Sequence, residues 1–179
     1  TLPSLGSGNW SSIANGLQND GSSTFQPSAI VIVADGDSTV AYSADADTWL
    51  TSSLPVGMNT GAETRIAYGN VVGSVTNRFV VISSADRDVS YSDNGGATWT
   101  LTTDALAAIG YDSIAYGAGK FVAIDSSSTN AAYSADGVTW TTVVLPGTAA
   151  AVSNVVWGNG KFVTLGGTNG IMYSLDGVT

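Results

Sequence analysis

The chain contains no cysteine and no histidine. That excludes disulfides, thiol catalysis, zinc ligation through Cys or His, and every Ser-His or Cys-His nucleophile. Basic residues are scarce: 5 Lys and Arg stand against 14 Asp and Glu in 179 residues, for a net charge of −9. A balance that acidic argues against nucleic acid or an anionic membrane as the main partner. Long apolar runs are missing too. The longest, Ala29 to Ala34, is far shorter than a membrane-crossing helix needs, so no membrane insertion is expected. With 44% hydrophobic and only 11% charged residues, the chain is nevertheless no disordered polyelectrolyte. It begins at Thr1 with neither methionine nor a signal-like segment, and so reads as a mature or trimmed product.

What the chain has is repetition. AYSADADTW (41–49), SYSDNGGATW (90–99), AYSADGVTW (132–140) and MYSLDGVT (172–179) are versions of one phrase, with tyrosines 49, 42 and 40 residues apart. RFVVI (78–82), KFVAI (120–124) and KFVTL (161–165) precede three of these tyrosines by 12 or 13 residues, and AIVIV (29–33) stands at that offset in the first repeat. Further upstream come RIAYG (65–69), SIAYG (113–117) and NVVWG (154–158), with Phe25 on the aromatic register in the first repeat. The apolar, β-branched phrases bounded by Gly, Asn, Asp and Ser read as buried strands, and the Gly-containing junctions as hairpin turns. Four antiparallel strands in about 40–50 residues match one blade of a β-propeller. The expected fold is therefore all-β, a single propeller domain spanning 1–179 with repeats at about 10–48, 49–98, 99–139 and 140–179.

Tryptophan spacing suggests how such a ring closes. Trp10 precedes Trp49 by 39 residues, and the last phrase stops at Asp176-Gly177-Val178-Thr179, where the others continue into Trp. The N-terminal strand around Trp10 is thus expected to pair with the strand ending near Ser174, completing the last of four four-stranded blades. The rival arrangement is a fragment of a larger propeller, or a half-ring closed by a second copy.

The phrase S-x-D-x-G-x-T-W resembles the Asp-box of bacterial-neuraminidase-type repeats, and the shortened copies with GNGKFV are similar to repeats of secreted surface proteins and phage tail proteins. Ser92 to Trp99 has the full length, with Asn94 at an acidic position, while the other copies are one residue shorter. The resemblance implies a hairpin between the third and fourth strands, away from the ligand face. It makes Ser43, Asp45, Trp49, Ser92, Asn94, Gly96, Trp99, Ser134, Asp136, Trp140, Ser174 and Asp176 scaffold residues. An aspartate in a turn accepts backbone N–H bonds and pins it, which gives the same reading.

Sialidases share this motif and use an arginine triad, but Arg65, Arg78 and Arg87 all fall in one repeat, where a central clamp would draw on several. Other glycosidases need two facing carboxylates roughly 5–5.5 or 6.5–9.5 Å apart. Thirteen Asp and one Glu satisfy that by count, yet none sits in an apolar context that would raise its pKa. The expectation is that the protein is not an enzyme. Blade topology places nine carboxylates on the rim of the 2–3 turns and inter-blade loops, called the top. There ADGDST (34–39) and SADRDV (84–89) repeat Asp-x-Asp, so Asp35, Asp37, Asp86 and Asp88 are candidate oxygen ligands for Ca2+, and with Asp125 candidate ligand-binding residues.

Three function classes follow: an extracellular or virion-surface recognition or adhesion module binding a glycan or protein receptor through its top loops; a structural propeller within a larger polypeptide, fibre or homo-oligomer; and a glycoside hydrolase-related domain.

Overall fold

The computed structural model describes residues 8–17, 28–71, 77–146, 152–166 and 170–179, and all regular structure among them is β. Four antiparallel sheets follow one another along the chain. Blade I is β1 (Trp10–Leu17), β2 (Ser28–Ala34), β3 (Thr39–Ser43) and β4 (Leu50–Ser53). Blade II is β5 (Thr64–Asn70), β6 (Asn77–Ser83), β7 (Val89–Ser92) and β8 (Thr100–Thr102). Blade III is β9 (Tyr111–Gly117), β10 (Lys120–Asp125), β11 (Asn130–Ser134) and β12 (Thr141–Val144). Blade IV holds β13 (Val152–Gly158), β14 (Lys161–Gly166) and β15 (Ile171–Ser174). Within each blade the strands pair in sequence order, as hairpin connections require.

The second strands of blades II and III have both faces covered, which is why FVVI and FVAI are uninterrupted apolar runs. One face looks back to the preceding blade and the other forward to the next. Val31, Val33 and Val40 of blade I meet Ile66, Phe79 and Val81 of blade II. Val80, Ile82 and Val89 meet Phe121 and Ala123 one blade on. Val122, Ile124 and Ala131 then meet Val155 and Phe162. The core is thus three apolar layers at three blade boundaries rather than one central mass.

Inner strands approach still more closely. An ideal Cβ at Gly16 would lie 2.1 Å from the Tyr68 ring; at Gly69 it would lie 2.1 Å from Tyr116, and at Gly117 2.0 Å from Trp157. Each of these three glycines is a seat for the next blade's aromatic side chain, which tilts against the phenylalanine of its own blade at 4.6–4.9 Å. The tight turns Ala118-Gly119 and Asn159-Gly160 hold both residues at positive φ, as a two-residue hairpin demands.

The N-terminal strand is not where tryptophan spacing put it. β1 pairs with β2, Ile13 opposite Ile32 and Gly16 opposite Ala29, and is the inner strand of blade I. Ser12-Ile13-Ala14-Asn15-Gly16 takes the place of Ser113-Ile114-Ala115-Tyr116-Gly117, and Asn15 the aromatic register assigned to Phe25, which lies outside the described residues. Ser11 Oγ donates to the Thr64 carbonyl (3.0 Å) and Ser12 Oγ accepts from the Ile66 N–H (3.2 Å), tying β1 to β5. The ring is therefore not closed by β1 completing blade IV, which has three strands among the described residues. Inner strands pack β1 on β5, β5 on β9 and β9 on β13, with no such packing of β13 on β1 among the described residues. The molecule is a four-bladed arc, its blades running from inner to outer strand over 10–53, 64–102, 111–144 and 152–174.

Candidate functional site

The third and fourth strands are joined on the bottom rim by the repeated Ser/Asp turn. In blade III, Ser134 Oγ donates to Asp136 Oδ1 (2.8 Å) and accepts from the Gly137 N–H (2.8 Å), while Asp136 Oδ1 also accepts from the N–H groups of Val138 and Thr139 (2.8 Å each). Ser43 and Asp45, and Ser174 and Asp176, reproduce this pattern. In the longer turn Ser92 Oγ accepts from Gly96 N–H, and Asn94 Oδ1 accepts from Thr98 N–H, so an amide does the carboxylate's work. Trp49 and Trp99 each donate their indole N–H back to the turn, to the carbonyls of Ala46 and Gly96, and Trp140 packs against the blade II–III layer. These bonds hold Asp45 and Asp176 below the usual carboxylate range, Asp176 at about 2. Burial opposes the effect at Asp136, but the Thr139 and Val138 N–H groups outweigh it and its pKa is also lowered.

The top rim carries the acidic candidates, and each is engaged locally. Asp35 Oδ1 accepts from Thr64 N–H (2.6 Å) and faces the Arg65 guanidinium at 3.4 Å, bracing blade I against blade II. Asp37 accepts from the N–H and hydroxyl of Thr39 (2.9 Å each), which lower its pKa. Asp86 accepts from Asn59 N–H (2.6 Å), and Asp88 from Asp104 N–H (2.7 Å). Asp125 is buried; desolvation pulls its pKa upward, but bonds from Ser128 and Ser127 win and lower it. No group of three or more His, Cys, Asp or Glu among the described residues is placed to hold a metal ion, so the two Asp-x-Asp turns do not converge.

A different set does converge. Glu63 and Arg65 of blade II, Asp112 and Ser126 of blade III, and Ser153 and Asn154 of blade IV line a depression of about 330 Å³ where the inner strands start. Glu63 accepts from the Ser84 hydroxyl (2.8 Å), and Asp112 from the backbone N–H (3.1 Å) and hydroxyl of Ser126. Burial, with smaller contributions from the charges of Glu63 and Asp125, raises the Asp112 pKa although the Ser126 bonds oppose it. That corrects the expectation that no carboxylate is so placed. The burial comes from tertiary packing, invisible in the neighbours Tyr111 and Ser113. Polar residues directly upstream of each inner-strand phrase were the available signal for this depression.

The three arginines do not form one clamp. Arg78 makes a bidentate pair with Asp93 (2.7 Å for each bond) on the bottom rim and stacks over Tyr91, Arg65 faces Asp35, and Arg87 pairs with Asp104.

Blades stacked through inner-strand aromatics, with pinned turns below and an acidic mouth above, define a β-propeller. Comparison with known proteins gives the same class. No protein-family profile and no curated protein matches the sequence. Among solved structures, the computationally designed Ika4 protein matches with a TM-score of 0.63 at 11% identity, over 97% of this chain and 94% of its own. A streptogramin B lyase matches at 0.58 and 10% identity over 93% of this chain, which spans only 54% of the lyase. YCF48 bound to the D1 peptide matches at 0.54 and 13% identity, over 83% of this chain and 47% of its own. At such identities the likeness is one of fold.

Proposed function

We propose that the chain is a non-catalytic recognition module, displayed outside the cell or on a virion, that takes a basic segment of a protein partner into the top-rim depression. The observation that carries this reading is the convergence of Glu63 and the half-buried Asp112 on one concave site drawn from three blades. A cation entering there relieves the mutual repulsion of the acids, and loops on a rigid scaffold commonly carry function. YCF48, a protein of similar fold, has been solved bound to the D1 peptide, in keeping with a peptide ligand. A glycan receptor is the weaker choice: Tyr68, Tyr116 and Trp157, the rings a sugar would stack on, are spent between blades. The pinned turns are Asp-box-type scaffold in this reading, and the top face is the ligand face.

The test is binding to arrays of Lys- and Arg-containing peptides and of glycans, at low and high salt. Glu63→Gln with Asp112→Asn should abolish a salt-sensitive peptide signal, whereas Asp47→Asn on the bottom rim should not. Peptide binding that ignores the double change would refute the site.

One observation favours a second reading, glycoside hydrolysis: the raised pKa of Asp112, near Glu63, is what a proton donor needs. A panel of fluorogenic glycosides decides it, through turnover lost in Asp112→Asn.

A further inference from the structure

The forward face of blade IV is bare. In blades I to III the corresponding side chains are sealed by the next blade: Val33, Ile82 and Ile124 are at most 1% exposed, as are Val40, Val89 and Ala131. Their blade IV counterparts, Leu165 and Ile171, are 56% and 63% exposed, and Val156 and Tyr173 stand open beside them. Gly158, the fourth seat in the glycine series, has nothing within 4 Å of an ideal Cβ. A contiguous apolar face of this kind on a β-sheet marks an interface.

The mate of that face is on the same molecule but at the wrong end of the arc. Blade I presents backward Ile13, which is 63% exposed, together with Ile30 and Ile32. These hold the register of Ile66, Phe79 and Val81, the residues that fill the blade I–II boundary. Among the described residues β1 and β13 do not pack on each other as successive inner strands do.

We propose that the open face of blade IV binds blade I of a second copy, and that two four-bladed arcs joined head to tail at both ends form one eight-bladed ring. Sizes match across the junction. Blade IV carries Val156 where the other blades have Ala14, Ala67 and Ala115, and blade I in turn carries Asn15 and Ile30 where the others have Tyr or Trp and Phe. The bulkier seat meets the slighter occupant. Charges match as well. Arg78 donates to the Asp136 carbonyl of the following turn (2.7 Å) and Lys120 to that of Asp176 (3.2 Å). Lys161, the third member, lies 4.4 Å over Tyr173, and the turn it would reach in a second copy carries Asp45 and Asp47. Eight blades are within the range that propellers adopt, and a head-to-tail interface that returns on itself after two copies is closed.

One residue holds the junction apart. At Gly137 and Gly177 a Cβ would come within 2.5 Å of the preceding blade's valine, and at Gly96 within 3.0 Å. Blade I has Ala46 at this position, at φ 65°. The contact with Val163 therefore sits at the wider end of that series, and Ala46→Gly tightens it.

Sedimentation equilibrium of the 179-residue chain over a concentration series should show a monomer–dimer equilibrium. Leu165→Glu and Ile171→Glu, on blade IV, and Ile13→Glu, on blade I, should each weaken dimerisation at least 100-fold with the far-ultraviolet circular dichroism unchanged. Ala46→Gly should strengthen it. Mixing Leu165→Glu with Ile13→Glu chains should restore a heterodimer through the one junction in which both faces are intact. A wild-type chain that stays monomeric at every concentration overturns the proposal. So does a dimer indifferent to Ile13→Glu, which would pair blade IV with blade IV, and so do oligomers that grow beyond two.

Discussion

At the scale of single residues, two aspartates pull stability in opposite directions with pH. Asp136 accepts from Val138, Thr139 and Ser134, and its carboxyl is held below the unfolded-chain value. A depressed pKa contributes stability that is whole above the unfolded value near 4 and is lost as pH falls through the folded one. Asp176, at about 2, contributes in the same sense. Asp136→Ala should cost about 1–3 kcal/mol at neutral pH, read from urea unfolding, and the deficit should shrink as pH falls below about 4. Asp112 behaves in the reverse sense. Its raised pKa means the folded state favours the protonated form, so its relative contribution is greatest below the unfolded value and declines as pH rises through the folded one. Asp112→Asn, which keeps an acceptor for Ser126, should therefore raise the melting temperature at pH 7 and leave it unchanged at pH 3. Thermal scans at the two pH values check both statements.

At the scale of the strand, the glycine seats decide how blades meet. Gly69→Ala and Gly117→Ala should destabilise by about 1–3 kcal/mol or more, because the added methyl lies on a Tyr116 or Trp157 ring that has no room to retreat. Gly158→Ala, with open space around it, should leave unfolding of the monomeric chain within about 0.5 kcal/mol of the parent. Denaturant titrations of the three variants test the contrast. The strands themselves were legible in the sequence wherever local pattern and tertiary role coincide: FVVI, FVAI and the Ser/Asp turns repeat because every blade needs them. β1 escaped because the aromatic residue that marks its counterparts is Asn15 here. Trp10, taken as the landmark, sits instead at the bulged start of the strand, where the pairing with β2 shifts register before Ser12. The identity of four residues in five between 12–16 and 113–117 was the signal to follow. The top-rim depression was less legible. Its residues come from three blades, most of them at the starts of the inner strands but Ser126 just past β10, and the burial of Asp112 comes from packing that no local string encodes.

At the scale of the molecule, an arc of blades is a one-dimensional array in which each unit is stabilised by its neighbours. Blades II and III are sandwiched on both faces, whereas blade IV is covered on one. Amide hydrogen exchange on the Leu165→Glu chain, which keeps the arc monomeric, should therefore find β14 and β15 opening first and β6 and β10 last. Uniform protection across the four blades would mean that the array unfolds as a single unit. The loops respond differently from the strands, since Asp35 and Asp86 clamp neighbouring segments by their backbone N–H groups. Asp35→Ala should loosen the blade I–II boundary alone, visible as faster exchange at Thr64.

The contact between an inner-strand glycine and the ring of the following blade has a direction, and this bears on how such a gene can lengthen. Every blade from II to IV brings a ring that points back and a vacancy that points forward. A duplicated copy of blade III, inserted after itself, would find its ring received by the Gly117 of the original and would offer the same vacancy to the Trp157 that follows. Whole-blade duplication thus leaves every ring housed, while a duplication whose ends fall within a blade strands one ring or one vacancy. Growth by whole units is written into two consecutive residues of each inner strand, the ring and the glycine after it, and the near-identity of 113–117 with 12–16 is the trace it would leave.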